Sequence, residues 1–172
     1  MANCCSYGMK IKGNKANVEE FIRAMKWEGE YEEQGTGRVY NCDIYNEYEL
    51  DGKYIVECDG SCAWSILSAM REFNNENNIE QLSARLNLII EAFSEECGLQ
   101  FMEHFAVDSG AVLCDDCIDW VCYCIDEIEE EDFWEEYGED LEEQGITKDN
   151  YMDYVIDDRI TIGGIEWVYE FI

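Results

Sequence analysis

Ten cysteines and a single histidine, His104, are the side chains of this 172-residue chain best suited to hold a metal or to act as nucleophile and base. The run Cys114-Asp115-Asp116-Cys117 is followed by Cys122-Tyr123-Cys124. The first pair has the two-residue gap of a zinc knuckle, where thiolates share one tetrahedral ion. The second pair is one residue apart, so on a strand both thiols point to the same side. Ile118 and Trp120 share that side and Cys117 has the opposite parity, which reads as core packing. The expectation is that no metal and no cofactor is bound. The alternative is a small metal-binding module on Cys114, Cys117, Cys122 and Cys124. His104 lies between Phe101 and Phe105 on a predicted strand, a core or edge position and not that of a general base. No phosphate-cradling glycine loop is present, and no run of acids has the calcium-loop pattern with its central glycine. Carboxylates are too abundant to single out an acid–base pair, whose separation a sequence does not give. The chain therefore reads as non-enzymatic.

The strongest signal is charge. Asp and Glu number 41 against 11 Lys and Arg, a formal net charge of −30. Solubility asks for a net charge of only about 2–8 in magnitude, and self-repulsion at this level opposes compaction. From Asp115 to Asp158 there are 19 acids and one base, Lys148. The predicted helix Glu129–Leu141 lies inside that segment, with an apolar stripe of Phe133, Trp134, Tyr137 and Leu141. Ten acids fall within Glu129–Glu143, about 22 Å of helix, or roughly one charge per 2.2 Å, close to the about 1.7 Å per charge of duplex DNA. Exposed helices usually alternate charge sign to gain i,i+4 pairs, and this one carries no Lys or Arg. The candidate partner-binding residues are Asp126, Glu127, Glu130, Glu131, Asp132, Glu135, Glu136, Glu139, Asp140, Glu142 and Glu143. A basic counterpart, Lys10, Lys12, Lys15, Arg23 and Lys26, falls in the first strand and helix.

Around these residues the hydrophobic patterning predicts the elements that must position them. Cys5–Lys12 alternates as a first strand. Val18–Trp27 is a helix capped by Asn17, with Val18, Phe21, Ile22 and Met25 on one face. Arg38–Leu50 and Lys53–Cys58 flank the hairpin signal Asp51-Gly52. Cys62–Phe73 and Ile79–Cys97 read as helices, the second stopped by Gly98. Leu99–Val107, Ala111–Leu113 and Cys117–Ile125 read as a meander turning at Asp108-Ser109-Gly110. Lys148–Val155 is a short helix capped by Thr147, and Arg159–Ile162 with Ile165–Phe171 a last hairpin. The apolar fraction, 47%, suffices for a core, and proline, the mark of a stiff linker, is absent. The opening residues lack the apolar core of a signal peptide and no stretch approaches a membrane span. Reduced thiols in the cytoplasm are expected, in the host cell if the protein is phage-encoded.

The opening Ala2-Asn3-Cys4-Cys5-Ser6 and the strand it begins resemble the start of the YubB-type ferredoxin-like proteins of plasmids and phages, with Cys4 where the family has Trp. The β-α-β-β-α order and the passage Gly98-Leu99-Gln100-Phe101 are similar too, over residues 1–125. The resemblance implies a fold and a mobile-element setting and no activity. The expected fold class is α+β: an antiparallel ferredoxin-like sheet with helices on one face (1–125), and an acidic helical extension with a C-terminal hairpin packed on it (126–172). The expected function is nucleic-acid mimicry, a cytoplasmic inhibitor of anti-CRISPR or anti-restriction type. It would fill the basic groove of a CRISPR effector nuclease or restriction enzyme, with no direct contact to nucleic acid or membrane. A non-enzymatic structural adaptor is the further alternative.

Overall fold

A computed structural model describes residues 4–26, 28, 38–71, 77–96, 101–119, 121–124, 130–155, 159–162 and 171–172. The fold is α+β. Six antiparallel strands form one sheet in the order β2-β3-β1-β4-β5-β6. They are β1 (Cys4–Gly13), β2 (Asp43–Leu50), β3 (Lys53–Ala63), β4 (Ile89–Glu96), β5 (Phe101–Asp108) and β6 (Ala111–Asp119). Helix α1 (Lys15–Met25) follows β1, and α2 (Ile66–Arg71) and α3 (Ile79–Leu86) lie between β3 and β4. Strands β7 (Val121–Cys124) and β8 (Arg159–Ile162) pair as a second, two-stranded sheet, with helix α4 (Glu130–Glu143) and a 3₁₀ turn (Tyr151–Tyr154) between them in the chain. Among the described residues no helix is long and apolar enough to cross a membrane.

Alternation drives β1 into the middle of the sheet: Cys5, Tyr7, Met9 and Ile11 are buried and join one core with Val18, Phe21, Ile22 and Met25 of α1. Each fully buried Phe or Ile side chain contributes about 1.5–3 kcal/mol relative to exposure. The α1 face is the expected one, but its N-cap is Asn14, whose Oδ1 accepts from the Ala16 N–H at 3.1 Å. Asn17, the expected cap, instead donates to the Leu86 carbonyl at 2.7 Å and ties α1 to the end of α3. Asp51-Gly52 makes the predicted turn, both residues at positive φ (52° and 72°), as a two-residue hairpin demands.

Several element boundaries differ from those expected. The predicted helix Ile79–Cys97 is a short helix followed by a strand. Asn78 and Gln81 form a capping box at the start of α3. Asn87 ends it in the left-handed conformation (φ 51°), and two residues later β4 begins. Residues Ile90–Ser94 of β4 are buried on both faces of the sheet, so their sequence lacks strand alternation and continues the helical spacing by coincidence. Cys62–Phe73 is likewise split: β3 runs to Ala63, Trp64 turns at φ 70°, and Ser65 accepts from the Ser68 N–H at the start of α2. The strand expected from Arg38 begins at Asp43, with Val39 making one isolated bridge to Cys62. In the meander, Ala111–Asp119 is one continuous strand, turning at Asp108-Ser109-Gly110 as predicted, and β7 leaves for the second sheet.

The acidic helix is present over Glu130–Glu143, two residues past the expected end. Phe133, Trp134, Leu141, Ile146 and Ile160 form a separate small core. The helix stops in a Schellman motif. The Ile146 N–H reaches the Leu141 carbonyl at 2.9 Å, the Gly145 N–H reaches that of Glu142 at 3.0 Å, and Gly145 sits at φ 76°. The expected helix Lys148–Val155 is only the 3₁₀ turn. Residues 163–170, in the expected last hairpin, lie outside those described.

Candidate functional site

Directly opposed residues of antiparallel strands share a face of the sheet. The register aligns Lys10 with Glu91, Glu91 with Ala106, and Ala106 with Cys114; two residues along, Phe93 opposes His104 and His104 opposes Asp116. Glu91, Phe93, His104, Cys114 and Asp116 thereby meet on the face that does not carry the helical core. Glu91 is fully buried, and Phe93 and His104 nearly so. The Phe93 ring stacks on the imidazole at 4.3 Å and 8°, and the Phe171 ring is tilted against it at 6.0 Å.

The polar contacts run in one line. His104 Nε2 lies 2.8 Å from Glu91 Oε1, and Glu91 Oε2 accepts from the Phe171 N–H at 3.2 Å. In the tautomer whose Nε2 proton points at Glu91, the Nδ1 lone pair faces Cys114 Sγ, 3.4 Å away. The Cys114 thiol donates to Asp116 Oδ2 at 3.1 Å. Cys114, His104 and Glu91 are thus in the order of a nucleophile, a base and the group that orients the base. The electrostatics oppose that use. Burial first, then the hydrogen bond and charge of Asp116, push the Cys114 thiol up to about 12, whereas an attacking thiol needs the reverse shift.

A second buried carboxylate, Glu103, is on the helical side of β5. It accepts from Ser65 Oγ (3.1 Å), the Leu67 N–H (3.2 Å) and Ser94 Oγ (2.7 Å), holding the start of α2 to the sheet. Burial raises its pKa despite these donors.

The four cysteines of the alternative metal-binding module are divided between two strands of different sheets. Cys114 and Cys117 oppose Ala106 and Glu103 and so have opposite parity along β6, while Cys122 and Cys124 belong to β7 in the other sheet. Sequence reasoning missed Glu91, which lay inside the supposed helix, and Asp116, hidden as the spacer of a knuckle. The usable signal was Cys114-x-Asp116, which on a strand puts both side chains on one face.

On α4 the two kinds of side chain segregate. Asp132, Glu135, Glu139, Glu142 and Glu143 are exposed, within about 100° of helix circumference at 100° per residue. Phe133, Trp134 and Leu141 are buried and Tyr137 half-buried on the opposite arc. Trp134 and Tyr137 are therefore inward packing residues and not surface anchors: Trp134 meets Phe133 and Tyr151 edge-on at 5.7 and 5.6 Å. Glu130, Glu131, Glu136 and Asp140 belong to the same helix; Asp126 and Glu127 lie outside the described residues. Two residues of the basic patch are engaged locally: Lys10 pairs with Glu57 at 2.8 Å and Lys15 lies 4.9 Å from the Tyr54 ring. Comparison with protein-family models, curated proteins and solved structures gives no match.

Proposed function

We propose that the protein acts by binding, through the outward carboxylates of α4, the basic nucleic-acid groove of another protein, so that the nucleic acid is excluded. The observation that carries this reading is the division of α4: Asp132, Glu135, Glu139, Glu142 and Glu143 face solvent while Phe133, Trp134 and Leu141 fix the helix from behind. A helix held in that way presents a rigid row of charges, whereas a disordered acidic tail must first be ordered. Nine acids over 14 residues give one charge per roughly 2.3 Å at about 1.5 Å rise. Binding of this kind uses no cofactor and no turnover, and its affinity falls steeply with salt through counterion release.

The strand order β2-β3-β1-β4 with helices after β1 and β3 supports reading the first part of the chain as a ferredoxin-like βαββαβ unit. Together with the resemblance to YubB-type proteins of plasmids and phages, it supports a mobile-element setting in the host cytoplasm. A CRISPR effector or restriction enzyme is then the target class.

The test is competition. Purified defence nucleases are loaded with labelled DNA or RNA, and displacement by the protein is measured at two salt concentrations. Asp132→Lys, Glu135→Lys, Glu139→Lys and Glu142→Lys together abolish displacement. The same charge change placed at Glu19, Glu28, Glu49 and Asp59, all exposed, leaves most of it. Each exposed pair is worth only about 0–1 kcal/mol, but like charges set against one another across an interface cost several kcal/mol. Equal displacement by both variants, or displacement indifferent to salt, refutes the mimic and favours a structural adaptor.

A further inference from the structure

Three hydrogen-bond acceptors surround one thiol on the face of the sheet opposite the helical core. Cys114 Sγ is within 3.1 Å of Asp116 Oδ2, 3.4 Å of His104 Nδ1 and 3.6 Å of the His104 carbonyl oxygen. One S–H satisfies one of these acceptors at a time. The ligand atoms of His104, Cys114 and Asp116 all lie within 4.8 Å of one another. In a tetrahedral zinc site, bonds of about 2.3 Å to sulfur and about 2.0–2.2 Å to nitrogen and oxygen set ligand–ligand edges of about 3.5 Å. The two edges that meet at Cys114, 3.4 and 3.1 Å, are already close to that value.

We propose that His104 Nδ1, Cys114 Sγ and an Asp116 oxygen form a three-ligand site for a thiophilic divalent cation of the zinc class, with the fourth position open to water or to a ligand from outside the chain.

Three further features fit a metal and not a mere packing cluster. Glu91, fully buried, holds His104 Nε2 at 2.8 Å. That is the carboxylate–histidine arrangement that aims the free ring nitrogen at a metal and raises its basicity. The stack on Phe93 fixes the plane of the imidazole. Asp116, exposed, and Cys114, half-buried, leave the site reachable from solvent. Burial first and then the Asp116 carboxylate make Cys114 a poor nucleophile, and that same carboxylate is a ligand once a cation is present. The donor set, thiolate with imidazole and carboxylate, suits zinc or cobalt and not magnesium or calcium, which take oxygen ligands. Binding displaces the thiol proton to solvent, so one proton is released as each Cys114 sulfur–metal bond forms. Three protein ligands and an open position are the makings of a reactive or ligand-accepting centre, whereas structural zinc sites close all four. The site stands independently of the charge on α4.

The experiment is titration of the reduced full chain with cobalt(II), followed by zinc competition against a chromophoric chelator. The expected result is one equivalent of cobalt with sulfur-to-cobalt charge-transfer absorption and visible bands of tetrahedral intensity, both reversed by zinc. Cys114→Ser removes the charge-transfer band. Asp116→Asn weakens binding at least tenfold, and because its side chain is exposed it keeps the fold and the test. Glu91→Gln weakens binding about 10–100-fold without removing the sulfur band. Cys4→Ser, at an exposed thiol, changes nothing. The proposal is overturned if the chain takes up no cobalt with a sulfur band. It is equally overturned if Cys114→Ser and Asp116→Asn bind with unchanged spectrum and affinity, which would place the ion on other cysteines or on the acidic surface.

Discussion

The two ends of α4 give opposite answers to one and the same charge change. Asp132 lies in the first turn and Glu142 in the last, both exposed. Aligned peptide dipoles place partial positive charge at the start of a helix and partial negative charge at its end. Asp132 is thus favourably placed and Glu142 is not, and the last turn holds no basic residue to offset it. Replacing Glu142 by Lys removes an unfavourable term and adds a favourable one, each about 0.3–1 kcal/mol at low ionic strength. The new Lys also turns its repulsion with Glu139, three residues back, into attraction, a swing of about 0.4–1 kcal/mol. Asp132→Lys reverses the dipole terms while gaining attraction at two positions, Glu135 and Glu136, three and four residues on, one pair more than Glu142→Lys gains. Both variants relieve the long-range repulsion of a chain at −30 to the same extent, so their difference is the dipole terms less that one extra pair. Glu142→Lys is expected to be the more stable of the two by about 1–3 kcal/mol, or roughly 2–10 °C in melting temperature for a chain of this size. Thermal melts at 10 mM and 500 mM sodium chloride measure it, and the gap shrinks at high salt. Variants of equal stability at low salt, or a gap of reversed sign, refute the assignment of these carboxylates to opposite ends of one helix.

Sodium chloride is expected to raise the melting temperature of the unmodified protein, because added salt screens like charges over about 10 Å at 0.1 M; a midpoint that falls across the series contradicts a solvent-facing acidic surface. Glu103 has its pKa raised by burial, so the folded state holds its proton to higher pH than the unfolded chain does. Its contribution to stability is fully present below the ordinary carboxylate range and is lost as pH rises through the raised value. The melting temperature relative to Glu103→Gln is therefore expected to fall over that interval; a difference independent of pH refutes the burial effect. Asn87→Gly is expected to keep stability within about 1 kcal/mol and Asn87→Val to lose about 1–2 kcal/mol or more, since φ is 51° there. Equal denaturation midpoints for the two would show that the junction between α3 and β4 is not left-handed.

Local signals in the sequence were reliable where they have a local cause. Asp51-Gly52 and Ser109-Gly110 turn with both residues of each pair at positive φ. The α1 face and the α4 stripe follow helical spacing because each helix has one side against a core. The α3–β4 junction was illegible for the complementary reason. Ile89, Ile90 and Phe93 are placed by β1, far along the chain, and by the next strand β5, and a strand buried on both sides carries no period of its own. That misreading hid the candidate site, because Glu91 becomes a neighbour of His104 only once β4 is a strand. His104 was placed correctly in a buried strand, but its partners are set by register, which the sequence of β5 does not contain.

The ends of the main sheet also carry acids. The outer strands are β2 and β6. The first bears Asp43, Glu47 and Glu49 beside exposed Ile44, Tyr45 and Leu50, and the second bears Asp115 and Asp116 beside exposed Val112 and Leu113. An outer strand with apolar side chains and unpaired backbone groups is a template on which another sheet can grow, and like charges on it keep a second copy away. The carboxylates therefore act as a colloidal guard along both margins. Acidification to the isoelectric point near 4.1 strips that guard from both margins at once, so self-association by strand addition is the physical hazard of strong acidification.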